Sequence, residues 1–386
     1  MNPLPLVASA LVMTTLVTTT PYAPPPRSAA PNTDSCPHSL VPPEPVTTSE
    51  RLAPGRPSPE PLAPIASTCG VSAPAGFDVP EMVLASAWLV FDVDSGEIIA
   101  MKDPHGRYRP ASIIKALVAL VAIRELPLDR KVTVSAESAA QEGSAVGLVE
   151  GGVYTVEELL YGLILNSGND AAHALAQELG GDEATLAAVN ALAAELGTGS
   201  TRVAHYAGLD APGQSTSAYD MGLIFRAAFS DPVFARIAAT EFVNYPEQPG
   251  YEAFEVWNDN KLFLNDPDGI GGKTGYTDDA KHTFVGALDR DGRRLAAVVL
   301  DTTIDQGRAW EQAQALLHEA YTIPAGSGVA TLQPLAGASA PEATTDEPLA
   351  ALPAVRHPVV GIAVVIGVVG AFAVAAAVSI RRARRR

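Results

Sequence analysis

Cations are scarce in this chain. Its 386 residues carry 26 Lys and Arg against 43 Asp and Glu, a formal net charge of −17. A body that acidic repels phosphate backbones, which excludes nucleic-acid binding as a function class. Cysteine is scarcer still. Cys36 and Cys69 are too few for a disulfide scaffold or an all-thiolate zinc centre, and neither has a His or second Cys at ligand spacing. They leave one possible bridge, worth about 3–4 kcal/mol outside a reducing compartment. There is no G-x-S-x-G, no histidine motif paired with a serine nucleophile, and His318-Glu319 lacks the second His of H-E-x-x-H. Those absences leave a Ser-His-Asp triad and a zincin site unsupported. Gly272-Lys273-Thr274 echoes a P-loop ending, but Pro267 stands where that loop needs its first glycine.

What is present divides the chain into stretches of different composition. Residues 358–380, after Pro358, are Val, Ile, Ala, Gly and Phe with one Ser and no charge, followed at once by Arg381-Arg382-Ala383-Arg384-Arg385-Arg386. A helix of that length crosses a bilayer, and the arginine cluster stays cytoplasmic, so everything before it is expected to face outward from a single-pass anchor in the cell membrane. Residues 1–23, with the apolar run Leu4–Val17, read as a signal peptide, although no Lys or Arg precedes the run. Residues 24–76 are crowded with Pro, Ser and Ala and show no apolar period, the composition of an extended linker. Residues 325–357 read as a similar stalk, which leaves a globular body over 77–324.

The body opens with a hairpin, Ala87–Phe91, the turn Asp94-Ser95-Gly96, then Glu97–Ala100. Ser112–Glu125 is apolar nearly all round and predicts a buried central helix. Capping boxes at Thr155 and Ser217 predict helices over Val156–Leu165 and Met221–Phe229, with two more over Asp170–Leu179 and Ala184–Leu196. Strand signal returns in Gly272–Tyr276, His282–Leu288 and Arg293–Asp301, before a last helix, Gln306–Ala320. This order predicts an α+β or mixed α/β body, an antiparallel sheet flanked by helices with a helical subdomain.

Lysine is the informative residue type. The chain has six, and Lys115 sits inside the apolar helix, where an ammonium costs several kcal/mol unless paired or neutral. Ser112 lies three residues earlier, one turn back on the same face, at a helix start where N–H groups and the positive dipole end favour a nucleophile. Alone, the blander readings prevail, Ser112 as an N-cap and Lys115 as a snorkelling stem, since about one chain in three of this composition has an S-x-x-K by chance. Ser167-Gly168-Asn169 falls between two helices and Lys273-Thr274-Gly275 opens the late strand run. All three together arise by chance in roughly one chain in two thousand.

In this order, Ser112-Ile113-Ile114-Lys115, Ser167-Gly168-Asn169 and Lys273-Thr274-Gly275 resemble the S-x-x-K, S-x-N and K-T-G set of penicillin-recognising serine enzymes. The segments Arg109–Ser112, Leu165–Ala172, Gly208-Leu209-Asp210, Asn258 with Asn260-Lys261-Leu262, and Asp268–Thr277 narrow the resemblance to the low-molecular-mass D-alanyl-D-alanine carboxypeptidases. It implies a β-lactamase/DD-peptidase-like fold and a peptidase that trims peptidoglycan stem peptides through a seryl acyl-enzyme and is acylated by β-lactams. Within it, Ser112 is the nucleophile, Lys115 the base and Ser167 the proton relay. Asn169, Lys273, Thr274, Gly275 and Tyr276 bind substrate, Lys273 and Thr274 at its terminal carboxylate. The N–H groups of Ser112 and Tyr276 form the oxyanion hole, and no metal or cofactor is required. Alternatives are a β-lactamase on the same fold and a non-catalytic wall-binding anchor. Ala280-Lys281-His282 departs from the family pattern and places an extra charge near the site, with altered substrate preference as the expectation.

Overall fold

The structure, a computed structural model, describes residues 25–335 apart from residue 67. The expected signal peptide, membrane span and arginine tail lie outside these residues; among the described residues no helix is long and apolar enough to cross a membrane.

Five strands form the body of an antiparallel sheet: β1 (Ala87–Asp92), β2 (Glu97–Lys102), β3 (Gly269–Thr277), β4 (Lys281–Arg290) and β5 (Arg293–Thr302). They are ordered β2-β1-β5-β4-β3, so the first hairpin of the body is completed by the last three strands. Alternation explains why this sheet needs a layer on each side. Leu89, Phe91, Ala296, Val298 and Leu300 point to one face and join the larger core; Trp88, Val90, Leu295, Ala297 and Val299 point to the other and pack under Leu316 and Leu317 of the last helix, Ala309–Ala320. The turn between β1 and β2 is closed by Asp92, whose Oδ1 accepts the N–H of Asp94 at 3.0 Å and of Ser95 at 2.8 Å.

The helical side is built around α1 (Lys115–Glu125), in which Leu117, Val118, Leu120 and Val121 are all buried. It is surrounded by α2 (Val156–Leu165), α3 (Asn169–Glu178), α4 (Asp182–Glu195) and α5 (Ala218–Ser230). The capping box expected at α2 is made: Glu158 N donates to Thr155 Oγ1 at 3.1 Å and Thr155 N to Glu158 Oε2 at 2.6 Å. Ser217 caps α5 through the N–H of Asp220. An antiparallel sheet flanked by helices, with a helical subdomain, is thus the architecture. Sequence reading did not foresee the short hairpins Lys131–Thr133 with Val153–Thr155 and Phe242–Tyr245 with Phe254–Trp257, whose strands are too brief to show a period.

The expected linker is corrected by the structure. Residues 25–73 have almost no regular structure, yet they are strapped to the body. Arg107 donates to the carbonyls of Leu40, Leu62 (3.0 Å) and Ala63 (2.6 Å); Arg202 donates to Glu60 O at 2.5 Å and Lys102 to Pro31 O at 2.8 Å. Cys36 and Cys69 form a disulfide that closes this strap on itself. Composition reported the missing apolar period correctly; the body supplies the donors that replace it. Likewise residues 325–335 of the expected stalk pack on the body, with Ala330–Thr331 pairing with β2 and Leu332 buried.

Candidate active site

Ser112 lies in a single 3-10 turn, Ala111–Ile114, that runs into α1, rather than in the first turn of the α-helix itself. Ala111 holds a left-handed backbone conformation (φ 49°), a strained arrangement typical of functional sites. Strand β3 presses against this turn. A Cβ on Gly275 would lie 3.0 Å from the Ser112 nitrogen, and Thr283 of β4 donates to Pro110 O at 2.8 Å. From the other side Gly208 (φ 83°) comes so close to the Ala111 carbonyl that a side chain there would overlap it. The serine is therefore held between a strand edge and a loop.

Lys115 is fully buried. Its Nζ stands 2.8 Å from Ser112 Oγ, 2.8 Å from Asn169 Oδ1 and 2.6 Å from Ala207 O. An ammonium would donate to all three. A neutral amine donates to the Asn169 and Ala207 oxygens and turns its lone pair to the Ser112 hydroxyl. The surroundings favour the neutral form: burial first, then the charge of Lys273, push the Lys115 pKa well down, with Asp259 and Asp170 opposing.

Ser167 also sits in the left-handed region (φ 62°), and among the described residues its buried Oγ has no hydrogen-bond partner. Asn169, at the start of α3, points inward; its Nδ2 donates to Glu142 O at 2.5 Å and its N–H to Ser144 O at 2.7 Å. Asp170 fixes the same loop by accepting the N–H groups of Val146, Gly147 and Leu148 at 2.9, 2.9 and 3.0 Å.

On β3, Lys273 is fully buried and donates to Thr274 O at 3.0 Å; burial lowers its pKa, with Asp259 opposing. Thr274 Oγ1 donates to Asp259 Oδ2 at 2.8 Å. Tyr276 is 46% exposed, with its ring 4.6 Å from that of His282. The structure thus links Ser112, Lys115 and Asn169 by hydrogen bonds and sets Gly275 against Ser112, while Thr274 is engaged with Asp259 and Tyr276 with Asp278. Among the described residues no group of three or more His, Cys, Asp or Glu could hold a metal ion.

Sequence reading assigned no role to Asp259, Asp170 or the Ala207 carbonyl. Asp170 stood within a quoted motif segment; a backbone oxygen carries no side-chain signal at all. The structure also gives Lys281 a partner. Its Nζ is 2.5 Å from Asp301 Oδ1, a carboxylate it shares with Arg27, so the amine is tied down rather than free.

Comparison with known proteins is consistent with this geometry. Residues 74–303 match the family described as peptidase S11, D-alanyl-D-alanine carboxypeptidase. The chain is 42% identical over 252 residues to the D-alanyl-D-alanine carboxypeptidase DacB2 of Mycobacterium tuberculosis, covering 64% of this chain and 86% of that protein. It is 29% identical over 230 residues to DacF of Bacillus subtilis, of which it spans only 59%, or 58% of this chain. Among solved structures, the D-alanyl-D-alanine carboxypeptidase of M. tuberculosis superposes with a TM-score of 0.64 at 40% identity, over 68% of this chain and all of that one. The Streptomyces K15 DD-transpeptidase gives 0.60 at 25% identity, over 64% of this chain and all of that one.

Proposed function

The chain belongs to the D-alanyl-D-alanine carboxypeptidase family of serine peptidases, and we propose that it removes the terminal D-alanine of peptidoglycan stem peptides through an acyl-enzyme on Ser112. The observation that carries the reading is the fully buried Lys115 amine, hydrogen-bonded to the serine while two other oxygens take its N–H groups. Ser112 Oγ attacks the carbonyl of the D-Ala-D-Ala bond as its proton passes to Lys115. The tetrahedral oxygen is received by the N–H groups of Ser112 and Tyr276. Lys115 returns that proton through the Ser167 hydroxyl, which has no partner among the described residues, to the leaving nitrogen, the C–N bond breaks and D-alanine departs. Water then attacks the ester as Lys115 takes its proton, the acyl C–O bond breaks, that proton passes to Ser112 Oγ, and the shortened peptide leaves as its carboxylate. Lys273 and Thr274 hold the terminal carboxylate, with Asp259 orienting the threonine hydroxyl. A buried cation at that end selects a free carboxylate, which suits a carboxypeptidase rather than an endopeptidase.

β-Lactams acylate the same serine in this reading. Two measurements test it together: mass spectrometry of the intact protein after penicillin, with the adduct mapped to the Ser112 peptide, and D-alanine release from a D-Ala-D-Ala peptide. No adduct and no release would leave a non-catalytic anchor, and fast drug hydrolysis without D-alanine release would favour a β-lactamase. We also propose a single-pass anchor through residues 358–380 with the body on the wall side, a reading supported by the uncharged apolar run and the arginines after it. Protease treatment of intact cells should remove the body and leave a membrane-bound fragment; full protection of the body would contradict the orientation.

A further inference from the structure

The strap ends where the family match begins, at residue 74, and its hydrogen bonds are not spread evenly. One stretch, Val46–Glu50, joins the two elements that flank Ser112. At one end Glu50 pairs with the buried Arg109, which lies three residues before Ser112 and also donates to Pro43 O at 2.7 Å. At the other end Asp279, three residues beyond Tyr276, collects four bonds from the strap. Its Oδ1 accepts the N–H groups of Val46 and Thr47 at 2.7 and 2.8 Å, and its Oδ2 accepts the hydroxyls of Thr47 and Ser49, both at 2.7 Å. The end of β3 is further secured by Thr277 Oγ1, which donates to Asp210 Oδ1 at 2.8 Å.

A saturated carboxylate and a partly buried ion pair are therefore joined by five residues of a segment that has no core of its own. An oxyanion hole works because its donors stand at fixed positions before the charge develops, and a misplacement of about 1 Å costs on the order of a hundredfold. Its two N–H groups belong here to different elements, Ser112 to the 3-10 turn and Tyr276 to the end of β3. We infer that Val46–Glu50 is a clamp that sets the spacing of these two N–H groups, with Asp279 and Arg109 as positioning residues. The inference rests on the peptidase reading above.

The test uses the full chain with Thr47→Val, Ser49→Ala and Glu50→Gln combined, all on the strap and outside the apolar core. Acylation by a chromogenic β-lactam and deacylation of the adduct should both slow by about tenfold, since each step passes through an oxyanion, while the non-covalent dissociation constant stays within about twofold. The ester carbonyl stretch of the acyl-enzyme should move to higher wavenumber as its hydrogen bonds weaken, a readout that lost stability alone does not produce. Should the triple variant unfold, Glu50→Gln alone gives the same infrared comparison. Unchanged rates, an unmoved carbonyl band, or a change confined to the dissociation constant would overturn the clamp. A wild-type protein that forms no adduct would defeat the peptidase reading and the clamp with it; an acylated wild type matched by its variant would defeat the clamp alone.

Discussion

The catalytic body and the strap are held by different forces. The body buries alternating strand faces against α1 and the Ala309–Ala320 helix, so its cohesion is non-directional and proportional to apolar area. The strap buries little of that kind. It is held by directional bonds from a few side chains of the body, above all Arg107, Arg109 and Asp279. The lesson is that a segment without hydrophobic period can still be positioned accurately when its backbone carbonyls meet buried guanidinium groups. It also follows that single substitutions should release the strap without melting the body.

Four experiments sharpen or break that contrast. The largest effect is expected within the body's site. Lys115→Arg replaces a neutral amine by a guanidinium that does not give up its proton, and so removes the base. Acylation should fall by more than about a thousandfold, or over ~4 kcal/mol in barrier; stopped-flow acylation kinetics that stay near wild type would contradict the role. Next is the disulfide. Its sequence separation is 33, and replacing both cysteines by serine should cost about 3–4 kcal/mol of chain-entropy stabilisation. Denaturant titration checks this, and a strap that stays equally protected from proteolysis would show that hydrogen bonds alone suffice.

Arg107→Ala removes three carbonyl ties at once and should lower strap protection in hydrogen exchange by about 1–3 kcal/mol. Protection of β5 should hardly change; equal loss in both regions would mean that strap and body unfold as one unit. The smallest effect concerns pH. Burial raises the Asp210 carboxyl to about 6, against hydrogen bonds from Thr277 and the Asp279 backbone. The folded state therefore holds this proton more tightly than the unfolded state, and the stability of the neutral acid is lost as pH rises through about 4 to 6. Relative to Asp210→Asn, the wild-type melting temperature should fall over that window and run level above it. A rise would reverse the assignment.

The body's outline was legible because its signals are local: alternation in β1 and β5, a capping box at Thr155, a nearly all-apolar α1. The serine and lysine of the site were legible for the same reason, since three residues of helix place them together. Asp259 was not, because its role depends on β3 passing beside the loop that holds it, a contact no spacing encodes. The strap failed for a third reason. Its partners Arg107 and Arg109 look like ordinary arginines until the fold buries them, and only then do their guanidinium groups call for carbonyl oxygens and a carboxylate from elsewhere. The pairing of Lys281 was missed in the same way, because Asp301 and Arg27 are far from it in the chain.

The central claim is a lysine without its proton beside Ser112. With six lysines in the chain, carbon-13 labelling of the lysine Cε positions and NMR titration report on each amine, and a Lys115→Met spectrum assigns the signal. The account predicts that Lys115 titrates far below the ordinary 10.5 and is neutral where acylation is fast. A Lys115 signal that stays charged up to its ordinary pKa while the serine still acylates would contradict it.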